Sequence, residues 1–502
     1  VPEPSRRTAG PTPQAPADTT HPPAPTRARP GPRPSHHTPQ PPCREADLGH
    51  GAARTASADA DSGPATPRPA TPPVLHALHP RHVLRAFHRA AHRLHAATPA
   101  SRDRAVDALR AFAILGVVLG HWLVTALVAA DGGLHTTSPL QHMPRLAPVS
   151  WLFQTLAVFF LVGGHVAAHS RATARARGDS YALWLRARLT RLLRPVAALL
   201  ALWAVAATAL LLTGASLPTV HALLTLALSP LWFLLVFAAL TAATPLVARL
   251  NPLWPLVVVL HVDLFRFGLH QGSSWLGWVN LGAGWLVPYT LGAAWARGEL
   301  RSRLSGWALL LGGTAATAAL VTWAGYPASM VGVPGGTISN LNPPTLAAVT
   351  FGLAQCGLAL LLRDRLRRAT ARPAVWAAVA VVNLSAMTIY LWHQTAMMAT
   401  TATGLRAGRL PGLHTPPGSL TWVAYRIAWL PVFALVLAVC WAAFRHHEQV
   451  RRPATASPAP CTAIAPAARP APPPPPDPSP APPAPPPRTG VRRPGPGHTR
   501  ST

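Results

Sequence analysis

The segment DALRAFAILGVVLGHW, residues 107–122, carries Asp107, Arg110 and His121 in an otherwise apolar run. Ionisable groups in hydrocarbon are costly and usually face a protein interior or a wet cavity. Histidine exchanges a proton near neutral pH, so a buried imidazole can serve as a general base. Arginine holds carboxylates and phosphates through paired N–H groups. Eleven helical residues at 100° each make nearly three whole turns, so Arg110 and His121 share a face, roughly 16 Å apart along the axis. Asp107 lies one turn before Arg110 and can pair with it. A plainer reading is a satisfied buried histidine beside a snorkelling arginine, and spacing alone leaves both open.

Other groups could join this chemistry. RARLTRLLRP, residues 186–195, repeats Arg188, Arg191 and Arg194 every third position. That suits an anion site, or ordinary basic flanking of a membrane span. AMTIYLWHQTAMM, residues 386–398, places Tyr390, Trp392 and His393 together at membrane depth. SPLWFLLVF, residues 229–237, holds Trp232 near an interface, and Asp263 with Arg266 forms an (i, i+3) pair that can neutralise itself. GGTISNLNPP, residues 335–344, carries Asn340 and Asn342 among turn formers that could line an acceptor site.

These residues need helices that cross a membrane. The chain has 502 residues, 49% hydrophobic and only 12% charged. Its mean hydropathy is +0.23 although its 59 prolines sit mostly in polar tails. That points to a multi-pass membrane protein. About ten spans of some 20 apolar residues are expected: 105–130, 149–169, 195–213, 230–248, 252–269, 275–296, 305–324, 345–362, 382–403 and 422–444.

The net charge of +29 raises nucleic-acid binding. The arginines instead fall in tails and in alternate loops. Loop 170–194 holds Arg171, Arg175, Arg177, Arg186, Arg188, Arg191 and Arg194, and loop 363–381 holds Arg363, Arg365, Arg367, Arg368 and Arg372. Loops 131–148, 214–229, 270–274, 325–344 and 404–421 are poor in arginine by comparison. This positive-inside asymmetry puts both termini in the cytoplasm, and no nucleic-acid partner is expected. Lysine is absent, and the dominance of Arg, Ala and Pro fits a GC-rich bacterial genome; a multi-pass protein of such an origin is expected in the plasma membrane.

The expected architecture is all-α, a polytopic transmembrane helix bundle. Residues 1–73 and 447–502 read as disordered Pro-rich tails, and 74–100 as a basic amphipathic helix on anionic lipid. The membrane domain is expected over 101–446. His88, His92 and His95 share a face of that basic helix, but no carboxylate or cysteine joins them, so no metal is expected. Cys43, Cys356, Cys440 and Cys461 form no C-x-x-C pair. With no apolar signal region in the first hundred residues, insertion is expected to rely on the first span.

Six ordered blocks now stand together: RAVDALRAFAILGVVLGHW, FFLVGGHVAAHS, RLTRLLRP, PLWFLLVF, SNLNPPTLAA and AMTIYLWHQ. In these the chain resembles the acyltransferase-3 family of integral-membrane acyltransferases, most closely its actinobacterial members, over residues 102 to 445. The resemblance implies transfer of an acyl group, commonly acetyl, from cytoplasmic acyl-CoA (acetyl-CoA) to a hydroxyl. Acceptors would be a glycan, a cell-surface sugar or a secondary metabolite. It makes His121 catalytic with Arg110, and gives Arg188 and Arg191, with Arg194 beside them, the acyl-CoA. Asp107 is expected to hold Arg110 rather than react. Trp232, Asn340, Asn342, Tyr390 and His393 are the expected substrate contacts. One departure is YTLG, residues 289–292, where relatives are expected to carry HQLG. An acyl-histidine intermediate stays open beside direct transfer. Two rival readings remain: a transporter using His121, Asp263 and His393 as a relay, and a non-catalytic membrane scaffold.

Overall fold

The structure, a computed structural model, describes residues 80–130, 133–269, 274–332 and 339–448. The expected tails, except for residues 447 and 448, lie outside the described residues, as do Cys43, Cys461 and residues 74–79. Almost everything described is helical. The only sheet among the described residues is one two-stranded hairpin.

The basic amphipathic segment forms α1, Pro80–Ala96. It lies along α11, Pro373–Leu384, with Ala91 buried and Phe87 left 49% exposed. The arginine-histidine segment forms α2, Arg104–Val124, started by Asp103, whose side chain accepts the Ala105 N–H. The remaining α-helices of more than one turn are α3 Leu156–Ala176, α4 Tyr181–Leu212, α5 Leu217–Leu228, α6 Leu231–Ala242, α7 Leu253–Asp263, α8 Val279–Arg297, α9 Arg303–Thr322, α10 Leu346–Thr370, α12 Ala386–Gly404 and α13 Leu420–Glu448.

Among the described residues seven stretches are long and apolar enough to cross a membrane, and α11 with α12 makes an eighth if that bent pair is one span. The other two expected spans are helical and fall short of this. α7 has 11 residues and continues only as a π-turn, Leu264–Gly268, while α8 is diluted by Gly, Asn, Trp and Tyr. Leu212, Leu246 and Trp323 are among the exposed large apolar side chains, as a lipid-facing surface requires.

Four boundaries differ from expectation. The first span was expected to reach residue 130, but α2 stops at Val124. Residues Ala126–Ala130 form β1, which pairs antiparallel with β2, Gly133–Thr137. At this end Arg426 of α13 donates to the carbonyls of Trp122 (2.7 Å) and Thr125 (2.7 Å). Freed carbonyls at a helix end need such donors. Second, loop 214–229 is mostly α5, which joins α6 into one span, Leu217–Ala242. Third, loop 363–381 is helical almost throughout. Fourth, the expected span 382–403 is broken at Ser385, where α11 and α12 meet at 74°.

α3 and α8 cross backbone on backbone. A Cβ added at Gly164 would overlap the Tyr289 carbonyl, and one at Gly292 the Leu161 carbonyl. Small residues permit this approach, which membrane helices use because lipid supplies no hydrophobic drive between them. The main core joins this pair to α2, α4, α6, α12 and α13 through Ile114, Phe160, Trp203, Phe233, Trp285 and Phe433.

At the N-terminal end of α2, Asp103 also receives Arg363 at 2.8 Å and Arg367 at 3.4 Å from α10. Burial alone would raise the carboxyl. The Arg363 hydrogen bond and charge, the Arg367 charge and the Ala105 N–H outweigh burial and hold its pKa below the ordinary value. A depressed carboxyl stabilises the fold above its unfolded pKa, near ~3.9, and that gain is lost as pH falls through the folded pKa. Asp103→Ala is therefore expected to cost about 1–2 kcal/mol at pH 7 through lost cap and ion pairs. Thermal unfolding of the detergent-solubilised protein at pH 7 and then below pH 4 should show the difference from wild type shrinking.

Candidate active site

Two cavities open from opposite ends of α2. The first, of about 690 Å³, is lined by Arg110, Arg188, Arg191, Ser170 and Asn383 on polar sides, with Phe159 and Met387 among its apolar lining. The second, of about 330 Å³, is lined by His121, Thr136, Thr137, Ser138, Ser150 and Gln154, with Trp232 beside them. Phe233 and Tyr390 line both. Their rings lie 5.5 Å apart, and Tyr390 donates to the Pro230 carbonyl at 2.9 Å. A wall of two aromatic rings thus divides an arginine-lined cavity from a hydroxyl-lined one.

The expected site residues fall into three groups. Arg110, Arg188 and Arg191 come together in the first cavity. Arg188 is held in place by donation to Ser170 Oγ and the Val166 carbonyl, and by lying over the Trp184 ring at 5.3 Å. His121 and Trp232 meet in the second cavity, with Tyr390 between the two. His393 lies behind His121, fully buried, with ring centroids 5.1 Å apart. Its Nδ1 contacts the Tyr390 carbonyl at 2.6 Å, so that nitrogen carries the proton, because a carbonyl only accepts.

Other expected contacts sit elsewhere. Arg194 is exposed and outside the cavity lining, because three-residue spacing drifts around a 3.6-residue helix. Asn340 is buried with its amide spent on its own loop: it donates to the Pro327 and Ser329 carbonyls and accepts from Thr345. Asn342 is exposed beyond the cavity, before Pro343. Asp107 pairs with Arg102, five residues earlier, through both oxygens, rather than with Arg110. The Asp263 carboxylate does not close on Arg266; it accepts from Asn280, Tyr326 and the Leu346 N–H. Tyr289, at the departure from the expected HQLG, is buried and shares a 2.7 Å hydrogen bond with Thr244.

Sequence reasoning missed several residues that build the site. Asn383, in the last turn of α11, lines the first cavity and donates to the Asp107 carbonyl at 2.6 Å, tying the break in α11–α12 to α2. Phe233 follows Trp232 within SPLWFLLVF, where one more apolar aromatic carries no signal of a site. Gln394 touches His121 Nδ1 at 3.1 Å. The Trp122 indole N–H donates to the His393 carbonyl at 2.9 Å, so α2 and α12 are fixed in register at the imidazole. The available signal for Gln394 was a polar side chain inside an apolar span.

The bundle and its divided interior define a polytopic helical membrane protein. Residues 103–445 match the family model of the acyltransferase domain. With most of the chain so matched, it belongs to the acyltransferase-3 family and is a membrane acyltransferase. No curated protein and no solved structure matches it.

Proposed function

We propose that this protein is a bacterial plasma-membrane O-acyltransferase that moves an acetyl group from cytoplasmic acyl-CoA to a hydroxyl of a glycan, cell-surface sugar or secondary metabolite. The observation that carries the reading is the aromatic wall with arginines on one side and His121 on the other. Coenzyme A carries phosphates, and Arg110, Arg188 and Arg191 supply the guanidiniums that bind them. The hydroxyl- and tryptophan-lined cavity suits a polar, ring-bearing acceptor. In this reading the thioester reaches past Phe233 and Tyr390 toward His121 while its phosphates stay among the arginines.

The chemistry then balances without a further group. His121 takes the proton of the acceptor hydroxyl as its oxygen attacks the thioester carbonyl. A C–O bond forms, the C–S bond breaks, and the imidazolium returns the proton to the departing thiolate of coenzyme A. Protein reconstituted in vesicles with labelled acetyl-CoA and a panel of sugar alcohols should yield labelled ester. Acceptor accumulating unmodified inside the vesicles, with no ester formed, would overturn the reading in favour of transport.

Arg188→Ala tests the donor side. It is expected to raise the acetyl-CoA Kd about tenfold, the worth of one charge-assisted contact, with kcat changing little. Titration by calorimetry or by competition with labelled acetyl-CoA measures the Kd, and an unchanged Kd would remove Arg188 from donor binding.

A further inference from the structure

Gln394 is 1% exposed, and its carboxamide nitrogen lies 3.1 Å from His121 Nδ1. His121 lines the hydroxyl-lined cavity, and with Nδ1 engaged from behind, Nε2 is the nitrogen left for chemistry there. The orientation of the carboxamide therefore sets what the cavity meets. If the amide nitrogen donates to Nδ1, the neutral ring carries its proton on Nε2 and offers a donor. If the amide oxygen accepts from Nδ1–H, Nε2 offers a lone pair.

The surroundings distinguish the two. With nitrogen toward His121, Gln394 Oε1 is buried without a partner among the described residues. His393 Nε2, an acceptor because Nδ1 donates to Tyr390, is likewise buried without one. Two buried acceptors without a partner are costly. Turning the carboxamide gives Oε1 the Nδ1–H of His121, which removes one of the two orphaned acceptors, and puts an N–H₂ donor where that oxygen lay. The shape of the side chain is unchanged.

We propose that Gln394 is the positioning residue for His121: its Oε1 accepts the imidazole Nδ1–H and so holds Nε2 unprotonated toward the acceptor cavity. The proposal deepens the acyltransferase reading and rests on His121 as the base. Gln394 does not touch the reacting atoms. It fixes which nitrogen of His121 is basic, as the partner of a histidine's second nitrogen generally does.

The test uses the reconstituted full chain with labelled acetyl-CoA and an accepting sugar alcohol. Gln394→Met keeps the size and removes the acceptor; it is expected to lower kcat about 10²-fold, with the acetyl-CoA KM within about twofold. Gln394→Glu restores an acceptor, and is expected to regain at least tenfold of what the methionine variant lost. Ring-¹⁵N-histidine spectra of wild type, with His121→Gln subtracted to assign the signal, should show a protonated Nδ1 and an unprotonated Nε2. Wild-type kcat in Gln394→Met, or an Nε2–H tautomer, overturns the proposal. Transfer that persists in His121→Ala sinks the acyltransferase mechanism itself, and the nitrogen spectra still decide the tautomer.

Discussion

His121→Ala is expected to lower acyl transfer by about 10³-fold or more, the upper range for loss of a positioned general base. Acetyl-CoA affinity should stay within about twofold, because the donor guanidiniums line a different cavity. The fold should survive. His121 is only half-buried, the one hydrogen-bond partner of its ring among the described residues is Gln394, and an alanine there removes volume at a cavity edge rather than from the packed core. Single-turnover transfer, acetyl-CoA titration and thermal unfolding on one preparation separate these effects. Loss of acetyl-CoA binding together with transfer would show that His121 shapes the donor site and is not a base.

Arg426→Met carries the largest expected effect on stability. Arg426 is 1% exposed, inside the last helix, and donates to the carbonyls of Trp122, Thr125 and Gly412. Its guanidinium also lies over the Phe433 ring at 4.7 Å. Methionine fills the space and leaves three carbonyls without that donor. Each buried unsatisfied group costs about 1–3 kcal/mol, so a loss of about 3 kcal/mol or more is expected. The thermal midpoint in detergent should fall by about 5–10 °C. Arg426→Lys should recover only part of this, since one ammonium cannot reproduce the planar fork. Arg409→Met, on an exposed position, serves as the control and should leave the midpoint unchanged. An Arg426→Met protein as stable as the control would mean that β1 and its neighbours, not Arg426, end the helix.

The contrast between these two residues shows what the sequence could carry. His121 and Arg110 were legible because helical periodicity within one segment puts them on one face, and the arginine pair Arg188 and Arg191 because charge in an apolar context is conspicuous. Arg426 is equally conspicuous by type, yet two of its three carbonyl partners lie some 300 residues earlier, which no local spacing encodes. Asp107 misled because two arginines compete for it. The (i, i+3) neighbour was expected, and the one in the preceding turn, Arg102, takes both oxygens. Asn340 sat among turn formers that could have lined a site. Its amide is consumed instead by its own loop, so it is a staple. Helices were legible where apolar runs were long, and their ends were not. Where α2 gives way to a strand its carbonyls are met by Arg426, and the 74° break between α11 and α12 lies beside Asn383, which is held to α2.

The aromatic wall also has an electrical consequence. Under the proposed orientation, water enters one cavity from the cytoplasm and the other from outside, so the insulating layer thins to roughly the depth of Phe233 and Tyr390. The transmembrane potential, worth about 2.3 kcal/mol per elementary charge per 100 mV, then falls mainly across these two rings rather than across the whole bilayer. In that reading the rings that the acyl chain passes would also hold back protons. A cell expressing the protein with this wall trimmed to small side chains would lose membrane potential even where no acceptor is present.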